Sequence, residues 1–179
     1  MKKIKTLEQK SFLLRTFATI SAVAMCVVLA SCGESSNNKN NLTDENAQKA
    51  GMQLLEGVSA SGALGKKPKI TLKTPVKVKQ NTYAVLQRGN GETIKEGDRV
   101  CSQGIVFDSK TGKELMNTWE KGKADCSIYI NKNSTSRPYY ALIKGKKINT
   151  TIAFGVSEGY KNPSYVMVLT ICLLYTSPS

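Results

Sequence analysis

The chain has 179 residues, with 26 Lys and Arg against 13 Asp and Glu, a formal charge of +13 and no histidine. The missing histidine excludes a Ser-His-Asp or Cys-His catalytic arrangement and any histidine-containing zinc site. The charge excess raises nucleic acid as a partner, but the lysines are scattered with no basic stripe of interleaved aromatics, so they read mainly as solvated surface.

Lys2, Lys3, Lys5, Lys10 and Arg15 form a basic leader, and Phe17 to Ala30 an apolar run that ends in Leu29-Ala30-Ser31-Cys32. Small residues just ahead of a cysteine are the pattern of a bacterial lipoprotein signal over residues 1–31. Cys32 would then become the first residue of the mature chain and carry the acyl chains. The apolar run is short for a bilayer span, which makes a permanent transmembrane helix the weaker reading. An ordinary secretory signal with an incidental cysteine is the other alternative. The expected location is the extracytoplasmic face of the cell membrane, with lipidated Cys32 as the anchor. The leader's five cations and Glu8 account for four of the thirteen charges and the last eight residues carry none, which leaves +9 for residues 32–171. For an exported chain this charge points to the membrane surface and to anionic cell-wall polymers as partners, and not to nucleic acid.

Residues 32–66 read as a linker carrying a short helix. Residues 33–42 are Ser/Asn-rich and form a flexible tether. Thr43 offers an N-cap, Asp44 and Glu45 oppose the helix dipole, and Ala47, Ala50, Leu54 and Leu55 recur at roughly helical spacing. The spacing predicts a helix over 43–56 that stops at Gly57, followed by loop from Val58 to Pro68.

From Ile70 the pattern changes to short strands, Ile70–Leu72 and Thr82–Leu86, with Gly89-Asn90-Gly91 as a turn. A longer strand is expected over Arg99–Phe107, a hairpin turn over Asp108–Gly112, a return strand over Glu114–Thr118 and a half-buried strand over Ser127–Ile130. Pro138 can start a short helix, Tyr139–Ile143, that stops at Gly145. Ile152, Phe154 and Val156 alternate, as do Tyr165, Met167, Leu169 and Ile171. The expected fold class is therefore α+β, an antiparallel sheet with one short helix packed on it, over residues 67–171. No metal site is expected.

The last eight residues, Cys172-Leu173-Leu174-Tyr175-Thr176-Ser177-Pro178-Ser179, match the translation of TGT CTC TTA TAC ACA TCT CCG AGC, a transposase adapter used in sequencing. Residues 172–179 are accordingly expected to be adapter-derived, with a gene that continued beyond Ile171, although Leu173 and Leu174 would extend the preceding strand. Cys26 lies in the leader, so Cys101 and Cys126 are the cysteines left to the domain. In an oxidising compartment they would form a bridge; the alternative is two buried thiols facing each other across a sheet.

The order of elements resembles the FKBP-type peptidyl-prolyl cis–trans isomerases over about Thr82 to Ile171. The matching pieces are Val85-Leu86-Gln87-Arg88-Gly89-Asn90-Gly91 and Lys95-Glu96-Gly97-Asp98-Arg99-Val100. They continue with Thr111-Gly112-Lys113-Glu114-Leu115, then Ala141-Leu142-Ile143-Lys144-Gly145-Lys146-Lys147-Ile148 and Ser164-Tyr165-Val166-Met167-Val168-Leu169. The resemblance implies an FKBP-like half-barrel. It also implies a dry aromatic pocket that favours the twisted prolyl amide against a rotation barrier of about 18–20 kcal/mol, without metal or cofactor.

Carried over by position, the pocket candidates are Ile105 where the family has a tyrosine, Leu115 and Met116 in place of its Phe-Asp pair, Tyr139 or Tyr140 at the tryptophan floor, and Met167 in place of an aromatic. The carboxylate is gone. The loop Ser157 to Pro163 looks shorter than the family's proline-gripping loop. Ile105, Leu115 and Met167 also read as core packing, and Trp119 as a pocket cover or an edge residue.

The resemblance therefore implies an exported lipoprotein of the isomerase family that assists folding of unfolded or proline-containing polypeptides. In this reading the present domain is weakly active or inactive, and a catalytic copy lies downstream. The alternatives are a non-catalytic FKBP-like surface adaptor and a basic envelope-binding lipoprotein.

Overall fold

The computed structural model describes residues 43–157, 159 and 163–175. The leader, Cys32, the tether, most of the Ser157–Pro163 loop and Thr176–Ser179 lie outside them. The chain divides at residue 36 into two units, and the second, Asn37–Ser179, holds all the described residues.

Helix α1 spans Glu45–Lys49, far short of the expected 43–56. Its N-cap is Asp44 rather than Thr43: the Asp44 carboxylate accepts the Ala47 amide at 3.0 Å. The helix cannot run on through Gly51, which takes φ +82°, a left-handed conformation that glycine adopts without penalty. Met52 folds back onto the Ala47 carbonyl, and Gln53–Leu54 (β1) pairs in parallel with Thr82–Gln87 (β4). Leu54 and Leu55, expected to complete a helix, thus enter the fold as strand and strand end, with Leu55 fully buried.

The expected loop from Val58 to Pro68 is likewise corrected. Val58–Ser61 (β2) pairs antiparallel with Lys69–Leu72 (β3) in a separate two-stranded sheet, with Val58 opposite Leu72 and Ala60 opposite Ile70. Among the described residues, those from Asp44 onward pack with the sheet, so a boundary at residue 67 would cut through elements that the structure holds together.

The remaining strands are Arg99–Asp108 (β5), Glu114–Asn117 (β6), Asp125–Tyr129 (β7), Thr151–Ser157 (β8) and Ser164–Tyr175 (β9). With β1 and β4 they form one open sheet in the order β1-β4-β8-β9-β5-β6, with β7 also pairing β5. Every pair except β1–β4 is antiparallel. Helix α2 spans Arg137–Ile143, opens two residues before the expected Tyr139 with Pro138 in its first turn, and is followed by Gly145 at φ +80°. The architecture is α+β, an antiparallel-rich sheet with few helices, in agreement with the class expected from the sequence.

The sheet is covered on both faces. On one face Tyr83, Val85, Ile152, Phe154 and Ile171 pack with Ala47 of α1 and with Leu142 and Ile143 of α2. On the other, Ala84, Ala153, Val166 and Val168 pack against Leu55 and Val58, with Ile70 and Leu72 from the β2–β3 hairpin. Alternation along β4, β8 and β9 supplies both layers at once.

Candidate functional site

Antiparallel register decides which of the candidate pocket residues share a face. Phe154 stands opposite Met167, which stands opposite Val106, which stands opposite Met116. This row lies on the helix-covered face, where the Tyr139 ring stacks on Phe154 with centroids 4.8 Å apart and planes 18° apart. Burial pushes the Tyr139 phenol above its ordinary pKa. Tyr139, Tyr140 and Met167 all pack against the same buried cluster.

The other three candidates do not join them. Ile105 pairs with Val168, one residue out of phase with Met167, so it points to the opposite face and is 2% exposed. Met116 ends the cross-sheet row at the sheet edge, 47% exposed, and Leu115 is 55% exposed on the same end strand, beside the irregularity where Met116 pairs Val106 and Glu114 pairs Phe107. Six positions that the resemblance gathers into one cup are thereby split between a packed helix face, the far face and a solvent-exposed edge. Trp119 sits in a 3-10 turn, Trp119–Lys121, directly after β6 and is half-buried. Cys101 and Cys126 are joined by a disulfide.

Of the six, Tyr140 lines a cleft among the described residues. That cleft, about 610 Å³, opens between α1 and α2. Lys49, Lys132, Arg137 and Lys144 stand around it, with Ala50 and Ala141 in its wall. A second cleft of about 720 Å³ lies at β1 and the 73–79 segment and carries Lys73, Lys77 and Lys79. Along the sequence these cations look scattered; their convergence on the first cleft depends on docking α1 beside α2, which no local spacing reveals.

A short polar chain organises the α1–α2 cleft. The Tyr140 hydroxyl donates to Glu96 Oε2 at 2.5 Å and accepts from Lys144 Nζ at 2.6 Å. Lys144 Nζ also lies 3.5 Å from Glu96 Oε2, and the Lys132 backbone N–H donates to Glu96 Oε1 at 3.0 Å. The Tyr140 hydrogen bond, helped by the Lys132 amide and the Lys144 charge, holds the Glu96 carboxyl below its ordinary value. The Tyr140 oxygen, with the Glu96 charge, holds Lys144 above its own.

Linkage sets the sign for Glu96. A depressed folded-state pKa contributes stability that is present above the ordinary carboxylate value and is lost as pH falls through the lowered one. Tyr140→Phe is expected to move the Glu96 titration upward toward the ordinary value, measured by NMR of its carboxyl carbon. An unmoved titration would show that the tyrosine does not hold the carboxylate.

Among the described residues no group of three or more acidic or cysteine side chains is placed to hold a metal ion, and no helix is long and apolar enough to cross a membrane.

No family model matches the chain, and no curated protein matches it. Among solved structures the chain is similar to FkpA from Escherichia coli, with 18% identity and a TM-score of 0.37 over 75% of this chain and 58% of that one. It is also similar to a multi-domain immunophilin from Arabidopsis thaliana, with 10% identity and a TM-score of 0.36 over 60% of this chain and 50% of that one. The matches thus span only about half the length of the solved chains, 58% and 50%.

Proposed function

We propose that the described domain is a catalytically silent FKBP-like module of an exported, lipid-anchored protein, which holds unfolded or proline-containing polypeptides without isomerising them. The sequence motifs around Gly89, Gly97 and Gly112 and the α+β architecture support the family side of this reading. The observation that carries the silent side is the stacking of Tyr139 on Phe154 while Ile105 faces the other way. An isomerase of this type needs a dry concave pocket that binds the twisted amide more tightly than the planar one. Here Tyr139, one of the two tyrosines at the floor position, is spent on packing, and no carboxylate stands at Leu115 or Met116. Membrane attachment rests on the Leu29-Ala30-Ser31-Cys32 signal.

The direct test monitors a proline-containing chromogenic peptide with the full chain in neutral detergent. We expect the uncatalysed rate of isomerisation, together with slowed aggregation of a reduced, unfolded client. Acceleration of the isomerisation well above the rate without protein would overturn the proposal. Cys32→Ser is expected to abolish acylation and release the chain from the membrane fraction.

A further inference from the structure

The cations around the α1–α2 cleft differ in how far they are neutralised. Lys49 pairs with Glu45 at 3.7 Å across one helical turn, a contact with both side chains largely exposed. Lys144 is tied to Glu96 and Tyr140. Glu96 has its charge taken up by Lys144, the Tyr140 hydroxyl and the Lys132 amide. Among the described residues Arg137 and the Lys132 ammonium form none of the ion pairs, which join Lys49 to Glu45, Lys67 to Glu120, Lys144 to Glu96 and Lys146 to Asp44. Two uncompensated cations therefore stand at one mouth, beside two more that exposed carboxylates offset only in part. The rest of the lining is Ala50, Ala141, Gly145, Tyr140 and the amide-bearing Asn46.

We propose that this cleft binds a phosphate monoester of a small polyol. A guanidinium presents a planar fork that matches two phosphate oxygens, and a lysine adds a point charge beside it. A monoester is close to a dianion at neutral pH, which matches the two free cations. A cleft of about 610 Å³ suits a ligand of a few heavy-atom groups and is too small for a nucleic-acid duplex. Ala50 and Ala141 would take the carbon portion of the ester, and the Asn46 amide can meet a polyol hydroxyl. The same head group is presented by soluble glycerol 3-phosphate and by the lipid phosphatidate, so the shared chemistry defines the site. The proposal stands whether or not the chain isomerises prolines.

The test is calorimetric titration of the full chain in neutral detergent at low salt, with glycerol 3-phosphate and with soluble dihexanoyl phosphatidate. Glycerol and dihexanoyl phosphatidylcholine serve as blanks. Saturable binding of at least one ester is expected, with amide shifts at Ala50, Ala141 and Gly145. The exposed double variant Arg137→Gln/Lys132→Gln is expected to bind at least about ten-fold more weakly, as loss of charge-assisted bonds requires. Lys73→Gln/Lys77→Gln removes the same charge from the other cleft and is expected to change affinity by less than about two-fold, because distant surface charge is screened. Arg137→Lys, which keeps the charge and removes the fork, should fall between. Binding of the soluble ester assigns a free phosphate ligand, and binding of phosphatidate alone assigns a lipid head group; either upholds the site. Equal losses in the two double variants, or no saturation with either ester at about ten millimolar, would overturn it.

Discussion

Asp44→Ala is expected to lower the stability of the domain by about 3–5 kcal/mol, the range for removing one partner of a buried ion pair. Asp44 Oδ2 lies 2.5 Å from Lys146 Nζ, with the two side chains only 9% and 11% exposed. Its Oδ1 caps α1 through the Ala47 amide. Alanine would remove the cap and leave the lysine buried without a counter-charge. The backbone of the same residue is held as well. Its N–H donates to the Tyr83 hydroxyl at 2.8 Å, and its carbonyl accepts from that hydroxyl at 2.9 Å. One phenol thus satisfies two buried backbone groups at the start of the helix.

Urea unfolding monitored by circular dichroism measures the loss. The charge argument is separated from mere helix fraying by Asp44→Ala/Lys146→Met, which removes both charges and should recover part of the deficit. Tyr83→Phe, which keeps the ring and orphans the Asp44 backbone, is expected to cost about 1–3 kcal/mol. A loss below about 1 kcal/mol for Asp44→Ala would mean that α1 is not docked on the sheet by this residue.

That anchor was not legible in the sequence, and its invisibility explains the largest misreading. Asp44 and Glu45 look like ordinary first-turn acids, and Lys146 is one of three lysines among Lys144–Lys147. Their meeting is a tertiary event. The same is true of Gln53–Leu54, a two-residue strand whose existence depends on β4 and not on its own pattern. Ala47, Ala50, Leu54 and Leu55 do fall at helical spacing. Gly51 breaks that helix before the spacing can be used, and Leu55 reaches the core through strand pairing instead.

From Thr82 onward the sequence is a better guide, because turn residues and alternation act locally there. The ranges of β4, β5 and β6 fall within one residue of expectation at either end, and β8 contains the alternating Ile152, Phe154 and Val156. The gap lies in the second face. Tyr83-Ala84-Val85-Leu86 and Ile152-Ala153-Phe154 are apolar at consecutive positions, the signature of a strand buried on both sides. Tracing only Ile152, Phe154 and Val156 accounts for the helix side and leaves Ala84, Ala153, Val166 and Val168 without a cover. The β2–β3 hairpin is that cover, and its two four-residue strands gain their order from the sheet they protect.

The pocket candidates show why a site is harder to read than a fold. Strand parity is a property of pairing, and a one-residue difference in phase sends a side chain to the other face. Ile105 and Met167 are each plausible at strand positions taken singly. Only the register, which sets Ile105 opposite Val168, shows that they cannot line one cup.

Opening the Cys101–Cys126 bridge is expected to cost about 3 kcal/mol, the value for closing a loop of this length in the chain-entropy account. The two cysteines are separated by 25 residues, and the loop between them includes β6 and the 3-10 turn. Cys101 is the third residue of β5, where β9 pairs one side of that strand and β7 the other. Strand β7 alternates between exposed and half-buried and meets β5 at Arg99, Val100 and Ser102 alone. Little apolar burial holds it, so the bridge is its main restraint.

Cys126→Ala should therefore lower the urea midpoint of the oxidised protein to that of the reduced wild type, and reductant should not lower the variant further. Hydrogen exchange adds the spatial check. Amides of Asp125–Tyr129 should lose protection first, ahead of the β8–β9 ladder. The nearby Cys172 thiol, which lies 3.4 Å from the Cys101 carbonyl, is kept in its protonated form because burial pushes its pKa up. A thiol held this way is a poor nucleophile for exchange, so Cys172→Ala should leave both the bridge and the midpoint unchanged. If reduction left the wild-type midpoint where it was, the antiparallel pairing at Arg99–Ser102 would itself fix β7, and the bridge would add nothing to the folded domain.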